Sequence, residues 1–206
     1  MAALPAFVLL VGCGGGGGET SSVALPAGCV QVAAPPAKHV ELSRPTQTLN
    51  GAATATVETS CGNFEIALDT TRAPKTTSSF AYLARRGVYD GTTFHRIVPG
   101  FVVQGGDPTG NGTGGPGYFV DETPPQNLSY TRGIVAMAKT SAEPPGRSGS
   151  QFFVVTAADA GLTPDYALLG RVTSGFDVVQ RIEQLGTASG RPEAPVVIKR
   201  ITVQGG

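Results

Sequence analysis

Arg96 stands in a stretch of strand-forming residues, Phe94-His95-Arg96-Ile97-Val98. The turn pair Pro99-Gly100 and then Phe101-Val102-Val103-Gln104 follow it. A guanidinium stays charged at any working pH and holds several donors in one plane. It can therefore steady a localised lone pair without a nucleophile, a proton shuttle or a cofactor. Taken alone, an arginine in a strand is an ordinary surface salt-bridge partner, and Phe101 or Phe153 is ordinary core. Other chemistries lack their parts. Three cysteines (Cys13, Cys29, Cys61) and two histidines (His39, His95) form no C-x-x-C pair and no cluster at metal-ligand spacing, so no metal site is expected. Gly112-Thr113-Gly114-Gly115-Pro116-Gly117 satisfies G-x-G-x-x-G, but Pro116 removes a donor and Tyr118-Phe119-Val120 reads as extended, so no helix opens there to hold a dinucleotide. Gly146-Arg147-Ser148-Gly149-Ser150 falls one residue short of a nucleophile elbow, and no Asp-His pairing accompanies it.

The elements that must position these residues are short strands. Phe64, Ile66 and Leu68 alternate with Glu65, Ala67 and Asp69 at strand period. Thr93–Val98, Phe101–Gly105, Gly133–Lys139, Ser150–Thr156, Ala167–Val172 and Val196–Val203 are further strand candidates. Strand alternation along Phe94–Val98 sets Arg96 on the face opposite His95 and Ile97. Two helices are predicted. One starts at Pro74 and runs to about Arg86, with Phe80, Leu83 and Ala84 on one face and Gly87 as its stop. The other spans about Gly175–Leu185 and buries Phe176, Val179 and Ile182. Gly 29, Pro 16 and only 15% charged residues fit a turn-rich, mainly β domain, closed as a barrel or packed as a sandwich. Lys+Arg 15 balances Asp+Glu 15, which argues against a polyanionic partner such as nucleic acid.

Two segments carry a resemblance. Phe94 to Asp107 is similar to the signature segment of cyclophilins, and Ser148-Gly149-Ser150-Gln151-Phe152-Phe153 resembles the second signature of that family. Asn111–Gly115 and Met137-Ala138 lie between them in family order, and the likeness runs from about residue 54 to 204. It implies a closed eight-stranded antiparallel β-barrel capped by two α-helices, with an active groove on its outer face. It also implies peptidyl-prolyl cis/trans isomerase activity, no cofactor, and a monomer acting on proline-containing peptide segments. Arg96 matches the catalytic arginine, accompanied by Phe101 and Gln104. Val102, Phe153 and Leu162 match the apolar proline pocket, together with Phe101. Ala138, Lys139 and Gln151 match the peptide-binding rim, although Asn is common where Lys139 stands. Tyr166 replaces a pocket histidine. Gly161 replaces a tryptophan that contributes to cyclosporin binding, so weak cyclosporin affinity with preserved turnover is expected. A non-catalytic proline-segment binding module or chaperone on the same fold is the alternative reading.

The N-terminal 53 residues read differently. Residues 1–13, MAALPAFVLLVGC, form a short apolar run ending in Leu10-Val11-Gly12-Cys13. This resembles a bacterial lipoprotein cleavage box, in which Cys13 would carry the lipid. No Lys or Arg precedes Cys13, a departure that an upstream start would mend. Residues 14–53 read as a flexible Gly/Ala/Pro-rich linker that becomes ordered toward its end. An extracytoplasmic location, anchored in the cell membrane through the lipid alone, is the expectation. Cys29 and Cys61 are then disulfide candidates closing a loop of about 33 residues, the other reading being two unrelated buried thiols.

Overall fold

The computed structural model describes residues 23–206. Cys13 and residues 14–22 of the expected linker therefore lie outside the described residues. The elements in chain order are β1 (Ala53–Thr59), β2 (Gly62–Leu68), α1 (Pro74–Arg85), β3 (Thr92–Thr93), β4 (Arg96–Val98), β5 (Val102–Gly105), β6 (Val120–Asp121), β7 (Ile134–Met137), β8 (Arg147–Ser148), β9 (Phe152–Val155), β10 (Leu168–Ser174), α2 (Phe176–Glu183) and β11 (Val197–Gly205). Nine strands form one sheet in the order β3-β11-β1-β2-β10-β7-β9-β5-β4, and β6 pairs only with β8.

The expectation of eight strands in a closed barrel needs correction. The sheet curls round, but its edge strands β3 and β4 are joined by the chain itself rather than by a ladder. The single strand predicted over Thr93–Val98 is split at Phe94-His95, because its first part pairs with β11 and its second with β5. Gly105 permits this crossing: a Cβ there would stand 2.8 Å from both the Thr93 carbonyl and the Phe94 ring. The split also disturbs side-chain parity. Phe94 and Ile97, three residues apart, both enter the interior core, so His95 and Arg96 are consecutive outward residues. Strict alternation, which would have set His95 opposite Arg96, does not survive the break.

Alternation holds elsewhere. Val57 pairs with Phe64 and Ala55 with Ile66, and all four belong to the interior core. Both helices turn their apolar faces into that same core: Phe80 and Leu83 from α1, Val178, Val179 and Ile182 from α2. Phe176, expected to be buried, is half-exposed with the Arg132 guanidinium over its ring, and Val178 takes its place inside. Pro74 occupies the first turn of α1. No side chain of its own cap closes that helix. The Glu122 carboxylate does so from a distant loop, accepting the Lys75 and Thr76 N–H groups at 3.0 and 2.7 Å.

Residues 23–52, where a linker was expected, form no helix or strand. The chain is nonetheless held along the domain surface. Val30 N–H donates to Ser60 O at 2.9 Å, Lys38 N–H to Pro108 O at 2.8 Å, and Leu42 N–H to Pro116 O at 2.8 Å. Leu49 is buried in the core. Cys29 is disulfide-bonded to Cys61 at the β1–β2 turn, beside α2, whose Arg181 donates to Cys61 O at 2.7 Å.

Candidate active site

Strand parity on β5, β7 and β9 gives the sheet a second apolar cluster on its outer face. Val103, Val135, Met137, Phe152 and Val154 point inward. Their neighbours Val102, Ala136, Phe153 and Val155 point outward and pack with Tyr130, Leu128, Ile134 and Leu168. Phe101, Ala138, Leu162 and Tyr166 border this cluster and are only partly buried, so it opens to solvent there. The rings form a walled hollow: Phe153 meets Tyr166 edge-on at 5.5 Å, and Tyr130 lies 6.3 Å from Phe153. Edge-on rings at such distances are a favourable arrangement.

A polar rail runs beside the hollow. Register places Arg96 opposite Gln104, and Gln104 opposite Phe153. The Arg96 guanidinium lies 5.7 Å from the centre of the Phe101 ring and donates to Gln104 Oε1 at 3.4 Å. Gln104 Nε2 donates to Gln151 Oε1 at 3.1 Å. Gln151 Nε2 in turn donates to the carbonyls of Gly112 and Gly114, both at 3.0 Å. Arg96 is thus oriented by a chain of amides that ends on a loop, and no carboxylate neutralises it with an ion pair among the described residues.

That loop is organised by Asp107, which is fully buried. Its carboxylate accepts from Thr109 N–H at 2.8 Å, from the Thr109 hydroxyl at 2.9 Å, and from Gly112 N–H. Burial alone would raise the Asp107 pKa, but bonds from Thr109, Gly112 and Gly114 outweigh it and hold the carboxyl below its ordinary range. Gly114 must be glycine, because a Cβ would stand 2.1 Å from Asp107 Oδ1. His95 lies against the same loop, its Nε2 3.8 Å from where a Gly112 Cβ would be. Burial lowers its pKa, against the opposing pull of Asp107.

Of the residues singled out from the sequence, Arg96, Phe101, Val102, Gln104, Ala138, Gln151, Phe153, Leu162 and Tyr166 gather along this one groove. Lys139 is at its edge. Its ammonium lies 5.4 Å from the centre of the Tyr166 ring and donates to Thr140 O at 3.3 Å and Glu143 O at 3.1 Å, so its donors are engaged by its own loop. Cys29 and Cys61 lie elsewhere, at the β1–β2 turn. Tyr130 was not legible in the sequence. It is fully buried, its hydroxyl donates to Tyr166 O at 2.5 Å and accepts from Tyr166 N–H at 3.0 Å, and its ring meets that of Tyr166 edge-on at 6.0 Å. Burial pushes its hydroxyl up to about 12, partly offset by the bond to Tyr166. Tyr130 fixes the tyrosine wall of the hollow. Its only signal was an aromatic residue in the unpatterned run Leu128-Ser129-Tyr130. Gly161 is exposed with nothing within 4 Å of a Cβ position.

A donor fork thus stands beside an apolar hollow walled by aromatic rings. The model of the cyclophilin type peptidyl-prolyl cis-trans isomerases covers residues 54–203. The chain belongs to the cyclophilin family. It is 43% identical over 152 residues to peptidyl-prolyl cis-trans isomerase-like 1 of Gibberella zeae, covering 71% of this chain and 92% of that one. It is 42% identical over 171 residues to peptidyl-prolyl cis-trans isomerase B of Streptomyces anulatus, covering 73% and 95%. Among solved structures it is similar to a cyclophilin type isomerase of Cryptosporidium parvum, with TM-score 0.69, 33% identity, and 76% and 99% of the two chains covered. That protein has also been crystallised in the presence of the dipeptide Ala-Pro (TM-score 0.68). Peptidyl-prolyl cis/trans isomerisation is accordingly the function of this cyclophilin domain.

Proposed function

We propose that the groove accelerates rotation about X–Pro bonds by seating the proline ring in the hollow of Phe101, Val102, Phe153, Leu162 and Tyr166 and presenting Arg96 to the prolyl nitrogen. The planar amide is held by resonance, with a barrier of about 18–20 kcal/mol. Half-way through rotation that resonance is gone and the nitrogen lone pair is localised. A donor placed at the nitrogen stabilises the twisted form more than either planar form. Only such differential stabilisation raises the rate, about 1.4 kcal/mol for each factor of ten. The carrying observation is the Arg96 guanidinium held over Phe101 by the Gln104–Gln151 rail at the mouth of the hollow. The Ala-Pro dipeptide used with the Cryptosporidium parvum relative supports a proline-containing peptide as ligand. A protease-coupled assay on an X-Pro peptide tests the mechanism: Arg96→Ala loses most of kcat/KM, and an Arg96→Ala variant as active as the parent refutes it.

The same reading places the enzyme on exported, unfolded proteins in a bacterial cell envelope, as a monomer tethered through Cys13. The supports are the Leu10-Val11-Gly12-Cys13 box and the Cys29–Cys61 disulfide, which suits an oxidising compartment. Mass spectrometry of the membrane fraction is the test. A diacylglyceryl-modified N-terminal Cys13 is expected, and an unmodified chain found only in the soluble fraction overturns the tether.

A further inference from the structure

The groove continues past the isomerase machinery into a cleft of about 720 Å3. The two share Gln104, Ala138, Lys139 and Gln151. The floor of the cleft is the Gly112–Gly117 loop, and its far wall is residues 38–41, from the segment that precedes the family match. This wall is fastened at both ends by the Lys38 N–H bond to Pro108 O and the Leu42 N–H bond to Pro116 O, each 2.8 Å.

The charges in the cleft are unequally committed. Lys38 spends its ammonium on the carbonyls of Val88 and Asp90, and Lys139 on those of Thr140 and Glu143. Glu143 accepts the Thr140 N–H at 2.5 Å but pairs with no cation among the described residues. Glu41 is exposed, and neither an ion pair nor a hydrogen bond engages its carboxylate among the described residues. Its side chain lies over the loop, with Oε1 2.6 Å from where a Gly117 Cβ would be. The two ammoniums keep their charge but have their donors engaged by backbone carbonyls, so Glu41 is the charged group of the cleft left without a partner among the described residues.

Connectivity of the substrate decides which part of it arrives there. With the proline ring in the hollow and its nitrogen toward Arg96, the residue bonded to that nitrogen lies along Gln104. Gln104 and Gln151 also line the cleft, so a chain leading into the ring along them passes it. We infer that residues 38–41 form a specificity wall that reads the residues preceding the X–Pro pair and favours a basic side chain, with Glu41 as its partner. The inference rests on the isomerase reading above.

The test uses the full chain with its disulfide intact and three peptide sets differing only at the two positions before X, which are Arg, Leu or Glu. In the parent, kcat/KM for the Arg peptides exceeds that for the Glu peptides by about three- to fivefold, the size expected of a solvent-exposed charge pair. The ratio shrinks toward one in 1 M salt. Glu41→Gln flattens it and Glu41→Lys inverts it, while Glu143→Gln changes it less. A ratio that is the same in the parent and in Glu41→Lys overturns the inference and leaves the isomerase reading standing. A parent that turns over none of the peptides, Leu included, overturns both.

Discussion

Phe152 and Phe153 are adjacent, equally aromatic and both almost fully buried, yet they belong to different parts of the molecule. Phe152 points inward, meeting Phe80, Tyr89 and Phe94 edge-on at 5.7, 5.9 and 6.1 Å. Phe153 points outward, against Tyr130 and Tyr166 and toward the groove. The inner cluster is sealed on all sides by the curled sheet and both helices. The outer one is a single layer whose rim residues Phe101, Leu162 and Tyr166 remain half-exposed. One strand thus carries stability on one face and ligand recognition on the other, because successive side chains alternate. Residue type does not distinguish the two roles. The difference lies in whether another layer covers the face.

The inner face should show the largest effect. Phe152→Ala leaves a cavity among three aromatic rings and should cost about 3–5 kcal/mol of unfolding free energy in a denaturant titration. Phe153→Leu should instead reduce kcat/KM more than it lowers Tm. If both variants lost stability and activity in the same proportion, the two faces would not be separable. On the outer face, Arg96→Ala should lower kcat/KM by about 10²–10³, the size typical of removing one preorganised donor from a reacting centre. Its melting temperature should stay close to that of the parent, since Arg96 packs into neither cluster. Arg96→Lys should recover little, because one ammonium does not reproduce the planar fork that Gln104 holds.

Reduction of the Cys29–Cys61 disulfide should lower stability by about 3–4 kcal/mol in the loop-entropy account, measured by melting with and without a reductant. The outer groove, built by other residues, should keep its activity as long as the domain remains folded. A smaller effect concerns the loop that ends the polar rail. The Asp107 carboxyl is depressed below its ordinary 3.8, so the stability it contributes is complete above that unfolded value and is lost as pH falls through the folded one. Asp107→Asn should cost about 1–3 kcal/mol at neutral pH and flatten the stability profile below about pH 4. A parallel profile in the variant would remove Asp107 from the account. The smallest change is Tyr130→Phe. It loses the hydroxyl bonds to the Tyr166 backbone, so KM should rise by a few-fold with little change in Tm, read from peptide kinetics.

Much of this is legible in the sequence. Period-two alternation marked β2, and Pro74 with Gly87 framed α1. Motifs in a fixed order located Arg96, Phe101, Gln104, Gln151 and Phe153. The failures share a cause. The break at Phe94-His95 depends on which partner each half of the strand finds, and partners are far apart in sequence. The burial of Val178 in place of Phe176 depends on where α2 meets the core. Capping of α1 by Glu122 and the bracing of Tyr166 by Tyr130 are contacts across 47 and 36 residues, carried by no local pattern.

By itself, then, the sequence determined both helices and most of the longer strands, because hydrophobic period and turn residues act locally, and the resemblance of its motifs to the cyclophilin family named the groove's chief side chains. Tertiary structure alone decided that the sheet curls without a closing ladder and that Asp107 shapes the loop supporting Gln151. It alone also placed residues 38–41 beside the groove. Each of these depends on groups distant along the chain meeting at hydrogen-bond range, and that is settled only when the whole core packs.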